Sequence, residues 1–320
     1  MKRPLLRILP WLVVASTAFA QLRDPDASPP PVLFEEHVQV AASGRAVDVA
    51  FGNLDLEIVN PTNVVWIADP AQTGVVAISS RPILGTAKAG ENMGRRGPHQ
   101  LRNTAALAVS AQGVFALSES GLLTVLGEHN ADSLQVGGSV VSAVDIDVNP
   151  NGLIFVLWGS RVEVYPTPPR KPLWSFEVDA DVQPAVALSA SAAGEVFVVG
   201  HGPQALSVYD LNDDGRYVRK MSVDAGSLDV ESPGGVAVTP FMLLPVDERE
   251  GWADRDLFVL LSDTSTASLL ALRRNDLQLV GRWDLRRELP SAAPGRMAVS
   301  NRGQIAYVDQ RAAEAWVLPT

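Results

Sequence analysis

A sequence motif of two short strands joined by a tight turn recurs along this chain and limits its fold more than any other feature. In one copy, the apolar runs Leu107 to Val109 and Val114 to Leu117 flank Ser-Ala-Gln-Gly, whose glycine tolerates the positive φ of a tight turn. Four of the six copies have this turn glycine, at Gly113, Gly152, Gly194 and Gly303. The closest copies are 39 and 40 residues apart, near the lower end of the roughly 40 to 50 residues per blade of propellers. The repeat therefore predicts an all-β, six-bladed β-propeller.

The two ends of the chain suggest how the ring closes. The last repeat contains three evident strands before the chain stops at Thr320, which would leave its blade one strand short. An incomplete blade exposes unpaired backbone groups along an edge. We expect the N-terminal segment Leu33 to Val40 to supply the outermost strand of that blade, so that the propeller spans residues 32–320 and is closed by an N-terminal strand.

The first residues have the pattern of an export signal. Basic residues precede a mostly apolar run that ends in Ala18-Phe19-Ala20, which fits a cleavable signal peptide over residues 1–20 and is too short to be a good membrane span. The following proline-rich residues 21–31 are typical of a flexible linker. The chain has no cysteine, which excludes disulfides and thiolate chemistry. We expect a periplasmic or secreted protein without a stable membrane span after cleavage.

The charge of the mature chain argues against one class of partner. Without residues 1–20 the chain has 23 basic and 36 acidic side chains, a net charge of −13. Such a surface repels nucleic acid. We therefore expect no nucleic-acid partner.

Several repeats resemble a known propeller family. The segment GPHQLRNTAALAVSAQGVFAL, which begins at Gly97, and VVWIADPAQTGVVAI, which begins at Val64, resemble the NHL repeat. In that repeat an aspartate follows the second strand, and Asp69 and Asp309 match it. The other copies have Ser118, Trp158, Gly200 and Leu261 at this position. The resemblance implies a propeller, but NHL-like propellers bind RNA or proteins or catalyse hydrolase and lyase reactions, so it does not define a function.

A basic segment suggests an anion-binding face. Residues 81–103, which join the first blade to the second, contain five basic residues and one acidic residue. We expect a loop over the mouth of the propeller that binds an anionic ligand or an acidic partner through arginine side chains, or else a solvated loop without a ligand. His201, in Gly-His-Gly-Pro, follows a second strand and should lie on the same face. The candidate ligand-binding residues are Arg81, Arg95, Arg96, His99, Arg102, Asp69, Trp158, His201 and Asp309.

An apolar insertion suggests a second contact surface. Residues 241–255 interrupt the fifth repeat between its first and second strands and should project from the opposite face. Their large apolar side chains are unusual for a loop, and predict a protein contact or a flap packed on its own blade. The candidate partner-binding residues are Phe241, Leu243, Leu244 and Trp252.

One turn resembles half of a calcium loop. Asp210, Asn212 and Asp214 precede Gly215 with the spacing of the first half of an EF-hand loop. The position at which a bidentate glutamate is expected is Met221. Asn-Asp-Asp-Gly is also a good hairpin turn without any ion. We therefore expect either no cofactor or a structural calcium ion.

Catalytic patterns are weak. The chain has no Gly-x-Ser-x-Gly nucleophile elbow. Asp48, Asp145 and Asp147 lie on or beside first strands and could face the channel, where gluconolactonase-like propellers hold a divalent metal; they could also simply solvate the channel. The leading prediction is a non-enzymatic binding or scaffold module for an extracytoplasmic protein or an anionic ligand. The alternative is a metal-dependent, gluconolactonase-like hydrolase.

Overall fold

The structure is a computed structural model that describes most of the repeated region. The described residues are 38–39, 46–52, 64–69, 75–79, 92–96, 103–110, 112–126, 131–137, 142–238, 258–287, 289, 292–300 and 304–318. The predicted signal peptide (1–20) and linker (21–31) lie outside these residues and remain predictions.

The described strands form six four-stranded antiparallel sheets, and each sheet is one blade. The first strand of the chain is β1 (Val38–Gln39). Blade 1 contains β2 (Asp48–Gly52), β3 (Val64–Ala68), β4 (Val75–Ser79) and β5 (Asn92–Arg96). Blade 2 contains β6 (Thr104–Ser110), β7 (Gly113–Ser118), β8 (Leu122–Leu126) and β9 (Ala131–Gln135). Blade 3 contains β10 (Ala143–Val148), β11 (Ile154–Trp158), β12 (Arg161–Tyr165) and β13 (Trp174–Glu177).

The second half of the chain repeats this arrangement. Blade 4 contains β14 (Ala185–Ala190), β15 (Val196–Gly200), β16 (Gln204–Leu211) and β17 (Tyr217–Asp224), followed by a one-turn helix α1 (Ala225–Leu228). Blade 5 contains β18 (Pro233–Val238), β19 (Phe258–Asp263), β20 (Ser268–Arg273) and β21 (Leu279–Asp284), followed by a short 3₁₀ turn (Leu285–Arg287). Blade 6 contains β22 (Pro294–Val299), β23 (Ile305–Asp309) and β24 (Glu314–Leu318), together with β1.

The first strands of the blades surround the axis. They contact one another in the order β2, β6, β10, β14, β18, β22 and back to β2. Blade 3 therefore lies opposite blade 6 in the ring. Because the strands of each blade follow one another outward from the axis, residues on first strands face the channel or the neighbouring blades. The predicted all-β, six-bladed propeller is confirmed.

The short strand β1 lies at the outer edge of blade 6. Val38 pairs with Val317 and Gln39 with Trp316 of β24, in antiparallel orientation. The rest of the segment Leu33 to Val40 lies outside the described residues. Closure of the ring by this whole segment therefore remains a prediction. The structure describes the pairing of two of its residues, Val38 and Gln39, with β24.

The core is divided into layers between neighbouring blades. The described residues form six hydrophobic clusters, one for each interface around the ring. In four of these interfaces a large aromatic side chain from the second strand is buried, and all four occupy equivalent positions. They are Trp66, Phe115, Phe155 and Phe197. This arrangement follows from strand geometry, because alternate side chains of a strand face opposite sides of its blade. Each blade therefore contributes one face to each of two interfaces, which explains why the apolar sequence motif recurs in each repeat.

Two sequence predictions differ from the observed strands. Arg95 and Arg96 belong to β5, the outermost strand of blade 1, so the prediction that 81–103 is a loop throughout is wrong. The repeat signal missed this strand because Asn-Met-Gly-Arg-Arg lacks an apolar alternation. In blade 5 the second strand ends at Asp263, which pairs with Pro233 as Asp309 pairs with Pro294. Asp263, and not Leu261, is therefore the equivalent of Asp309.

Candidate functional site

The first strands enclose a cavity on the propeller axis, which we call the axial cavity. Its volume is about 220 Å³ and its wall is formed by all six blades. The pairing registers place six equivalent residues at one level of the channel. These are Asp48, Ala106, Asp145, Ala187, Gly235 and Arg296. Two acidic side chains and one basic side chain thus share this level with three small residues.

Arg296 connects three blades across the axis, in a contact that we call the arginine bridge. Its Nη1 atom forms an ion pair with Asp145 and lies 3.6 Å from Asp48 Oδ2, while its Nη2 atom donates a hydrogen bond to the carbonyl of Val144. Arg296 is on blade 6 and Asp145 is on blade 3, so the side chain reaches the opposite wall. Small residues at the same level leave room for it. Gly235 also lets the backbone of blade 6 approach closely, because a Cβ atom there would lie 2.9 Å from the Cα atom of Arg296.

The two bridge aspartates also hold neighbouring blades together. Asp48 Oδ2 accepts a hydrogen bond of 2.7 Å from the backbone N–H of Leu107 on blade 2. Asp145 Oδ2 accepts one of 2.8 Å from Leu188 on blade 4. Hydrogen bonds to charged groups contribute about 1.5–3 kcal/mol. These side chains therefore stabilise the ring as well as the arginine bridge.

Burial changes the acidity of the bridge aspartates. Removal from water raises the pKa of Asp48 to about 8, although Arg296 opposes the shift. The pKa of Asp145 is raised for the same reason, again against the effect of Arg296. One guanidinium cannot fully compensate two buried carboxylates. The bridge therefore favours the uptake of a proton near neutral pH.

Asp147 lies one level further along the channel and has a different environment. Its Oδ2 atom accepts hydrogen bonds from Ala190 N at 2.8 Å and from the Ser189 hydroxyl at 3.0 Å, and its Oδ1 atom accepts one from Val148 N at 2.7 Å. These donors are all neutral, and no ion pair of Asp147 is found among the described residues. Burial raises its pKa to about 6. Asp147 is thus a half-buried acid in the wall of the axial cavity.

A second cavity of about 230 Å³ lies on the other side of the arginine bridge, beside His201. Arg296 lines both cavities and so separates them. The His201 Nε2 atom lies 2.9 Å from the carbonyl oxygen of Pro233. A carbonyl only accepts hydrogen bonds, so Nε2 carries the proton. The wall of this cavity also includes Thr264 and Gln310, and ligand binding by His201 remains a prediction.

The aspartates that follow second strands are bound to the backbone. Asp309 accepts hydrogen bonds from Ala293, Arg311 and Ala312 N–H groups at 3.3, 2.9 and 3.0 Å. Asp263 accepts from the N–H groups of Glu231 and Ser232, each at 3.2 Å, and from the side chains of Ser265 and Thr266. Both carboxylates tie the end of a second strand to the loop that enters the same blade. Ligand binding by Asp309 would have to compete with these contacts.

Two other candidate residues are buried. Asp69 directly follows β3, the second strand of blade 1, and is 2% exposed. Trp158 is 5% exposed and packs in the core between blades 2 and 3. A Cβ atom on Gly121 or Gly137 would lie within 2.8 Å of its indole, and both glycines have positive φ. Trp158 therefore has a packing role in a position that only these glycines can accommodate.

The calcium-like segment forms the hairpin turn between β16 and β17. Asn212 Oδ1 accepts hydrogen bonds from the N–H groups of Asp214 and Arg216 at 3.1 and 2.9 Å, and Asp210 forms an ion pair of 3.2 Å with Lys220. Gly215 has a φ of +74°. These contacts are those of a self-contained turn, and calcium binding remains a prediction. In the part of the chain that the structure describes, no group of three or more His, Cys, Asp or Glu residues is arranged to hold a metal.

The remaining candidates are outside the described part of the chain or are described only by their strand. Arg81, His99, Arg102, Phe241, Leu243, Leu244 and Trp252 lie outside the described residues. Arg95 and Arg96 are described only as members of β5. Within the described ranges, no helix has the length and apolar character needed to cross a membrane.

Sequence reasoning missed Arg296, although a signal was present. Arg296 lies seven positions before the turn glycine Gly303, and Asp145 lies seven before Gly152. Aligning the copies on these glycines would have placed an arginine and an aspartate at one level of the channel. The contact across the ring is not visible in the sequence, because the two residues are 151 positions apart.

Solved β-propellers have the same fold. The β-propeller domain of Cps50 (Swd1) from Myceliophteria thermophila aligns with a TM-score of 0.58 and 10% identity, over 91% of this chain and 100% of that chain. An inactive variant of virginiamycin B lyase from Staphylococcus aureus, crystallised with quinupristin, gives 0.56 and 10% identity over 89% and 85%. A streptogramin B lyase gives 0.53 and 8% identity over 89% and 97%. At this level of identity the likeness defines the fold alone.

The sequence comparisons add no family to this result. No protein-family model matches the chain, and no curated protein matches it. The class of protein is a six-bladed β-propeller.

Proposed function

We propose that this chain is a non-catalytic β-propeller that acts outside the cytoplasm as a binding or scaffold module. The observation that carries the proposal is the arginine bridge. The Arg296 side chain occupies the level of the channel at which Asp48 and Asp145 lie. A propeller whose channel is crossed at this level by its own ion pairs still offers its faces and edges for binding.

The arginine bridge weakens the case for a metal-dependent hydrolase. That alternative rested on aspartates that could face the channel. Two of them, Asp48 and Asp145, now have a cationic partner in Arg296 and backbone partners on neighbouring blades. Their positions are therefore explained without a catalytic metal. The lyase activity of the structurally similar proteins is a property of those proteins.

The binding partner that the sequence suggests is an extracytoplasmic protein or an anionic ligand. Two features support this proposal: the signal-like residues 1–20 and the excess of basic residues in 81–103. Arginine binds carboxylates and phosphates through paired hydrogen bonds. The apolar residues of 241–255 would add a second contact surface.

Affinity capture from the extracytoplasmic fraction tests this function. We expect the mature protein to retain a specific partner, and the double variant Arg95→Glu/Arg96→Glu to retain less of it if the partner is acidic. Trp252→Ala tests the apolar insertion in the same way, and Arg170→Glu is a control at an exposed site on blade 3.

Two results would count against the proposal. One is the absence of any partner that survives comparison with an unrelated exported protein. The other is turnover of lactones in the presence of calcium, zinc or manganese that is lost in Asp145→Asn, which would restore the hydrolase alternative.

A further inference from the structure

The axial cavity has one acidic group for which the protein supplies no cation among the described residues. Asp48 and Asp145 share Arg296, whereas Asp147 accepts hydrogen bonds from two backbone N–H groups and one hydroxyl. An ionised carboxylate accepts about four hydrogen bonds. Donors among the described residues occupy three of these positions, two on Oδ2 and one on Oδ1. Asp147 lines the cavity, where a ligand could use the remaining position on Oδ1.

The cavity around Asp147 is small, and its wall combines polar side chains with small apolar ones. The level of the channel that contains Asp147 is otherwise formed by Ala50, Ala108, Ser189, Ala237 and Ala298. Its volume of about 220 Å³ corresponds to about seven water molecules in the liquid. This space admits a molecule of a few heavy atoms and excludes a drug-sized ligand, which needs about 300 Å³ or more.

The charge of the channel selects the sign of the ligand. Three aspartates and one arginine line the axial cavity. Asp147 is a half-buried carboxylate with no cationic partner among the described residues. A cation that enters the cavity would be attracted to it. The pKa of Asp147, which burial raises to about 6, is consistent with such an uncompensated group. Anions would be repelled by the same arrangement.

We propose that the axial cavity binds a small organic cation, a primary ammonium group on a short aliphatic chain, through Asp147. The ammonium group donates a hydrogen bond to Asp147 Oδ1, and the aliphatic part contacts the alanines of the wall. This inference goes beyond the proposed scaffold function and does not require a protein partner.

Calorimetric titration of the purified mature protein with butylammonium chloride tests the proposal. Butanol and sodium butyrate are the neutral and anionic controls of the same length. We expect butylammonium to bind more tightly than either control. Asp147→Asn should weaken it by about tenfold or more, because a hydrogen bond between charged groups is lost. Asp213→Asn, at an exposed turn, should leave the affinity unchanged.

A second variant tests the location without changing the charge. Ala298 is partly exposed to the channel, and Ala298→Leu would fill part of the cavity. We expect this variant to lose butylammonium binding while its circular dichroism spectrum stays that of the wild type. Three results would each overturn the proposal: equal affinities for butylammonium and butanol, no measurable binding of butylammonium, or unchanged affinity in folded Asp147→Asn or Ala298→Leu. Because no partner protein is used, a failed capture experiment would not affect this outcome.

Discussion

The Arg296 side chain crosses the propeller axis. Its guanidinium connects blade 6 with Asp48 of blade 1 and Asp145 of blade 3, and the three small residues at the same level make room for it. Removing one partner of a buried ion pair leaves an uncompensated charge, which is more costly than the pair itself is stabilising. The effect of this residue on stability is therefore asymmetric.

We predict that Arg296→Met destabilises the protein by about 3–5 kcal/mol, because the negative charge that remains on the Asp48–Asp145 pair is left buried without a cation. Urea unfolding measures the change, with Arg170→Met as the exposed control. The triple variant with Asp48→Asn and Asp145→Asn should recover part of the loss, since it removes the charges. A single variant within about 1 kcal/mol of the wild type would show that the bridge does not contribute as argued.

At the scale of elements, the edges of the blades determine where the ring is vulnerable. β24 is flanked by β23 on one side and by β1 on the other. The pairing of Val38 with Val317 and of Gln39 with Trp316 covers an edge that would otherwise present unpaired backbone groups. The strand that supplies this cover comes from the opposite end of the chain.

We predict that deleting residues 32–41 from the mature protein lowers its melting temperature by about 2 °C or more, which corresponds to about 1 kcal/mol in a domain of this size. The physical reason is the loss of the strand pairs at the edge of blade 6. A deletion of residues 21–31 serves as the control and should have little effect. Equal melting temperatures for the two deletions would contradict closure by the N-terminal strand.

At the scale of the whole molecule, the free energy of unfolding depends on pH through two kinds of acidic residue. One kind has a raised pKa and the other a lowered pKa, so their effects have opposite signs. Burial raises the pKa of Asp48 to about 8 and of Asp147 to about 6, above the ordinary value of 3.8. The folded state then binds more protons than the unfolded state between these values. For Asp263, the hydrogen bonds from the Glu231 N–H and from Ser265 and Thr266 outweigh burial and lower its pKa. This group stabilises the fold only while it is ionised.

We predict that the free energy of unfolding is greatest in mildly acidic solution. It should fall as the pH rises from about 4 to about 8, because folded Asp48 and Asp147 lose the protons that their raised pKa values favour. It should also fall in strongly acidic solution, as the pH drops through the lowered pKa of Asp263. Urea unfolding over this range measures the curve. Asp147→Asn should reduce the decline between about pH 4 and 6, and Asp213→Asn should not. A wild-type curve that rises steadily to pH 8 would contradict the assignment.

The sequence predicted the ring but not the contacts across it, for a physical reason. Hairpins and alternating apolar residues are local, so the sequence motif around Gly113 and its copies was sufficient to predict six blades. The outer strand Asn92–Arg96 lacks that alternation and was interpreted as a loop. The partners of Arg296 are fixed by closure of the ring and not by local spacing, so Asp145 was recognised as a channel residue without its cation.

The residues of the arginine bridge are synthesised at different times. Arg296 follows Asp145 by 151 residues in the chain. At synthesis rates of about 5–20 residues per second, this separation takes about 8–30 s. During that interval the nascent chain already contains the acidic residues but not the basic one that neutralises them. The channel therefore cannot reach its final electrostatic state until the last blade has left the ribosome, and every nascent chain that ends between Asp145 and Arg296 contains both aspartates without their cation.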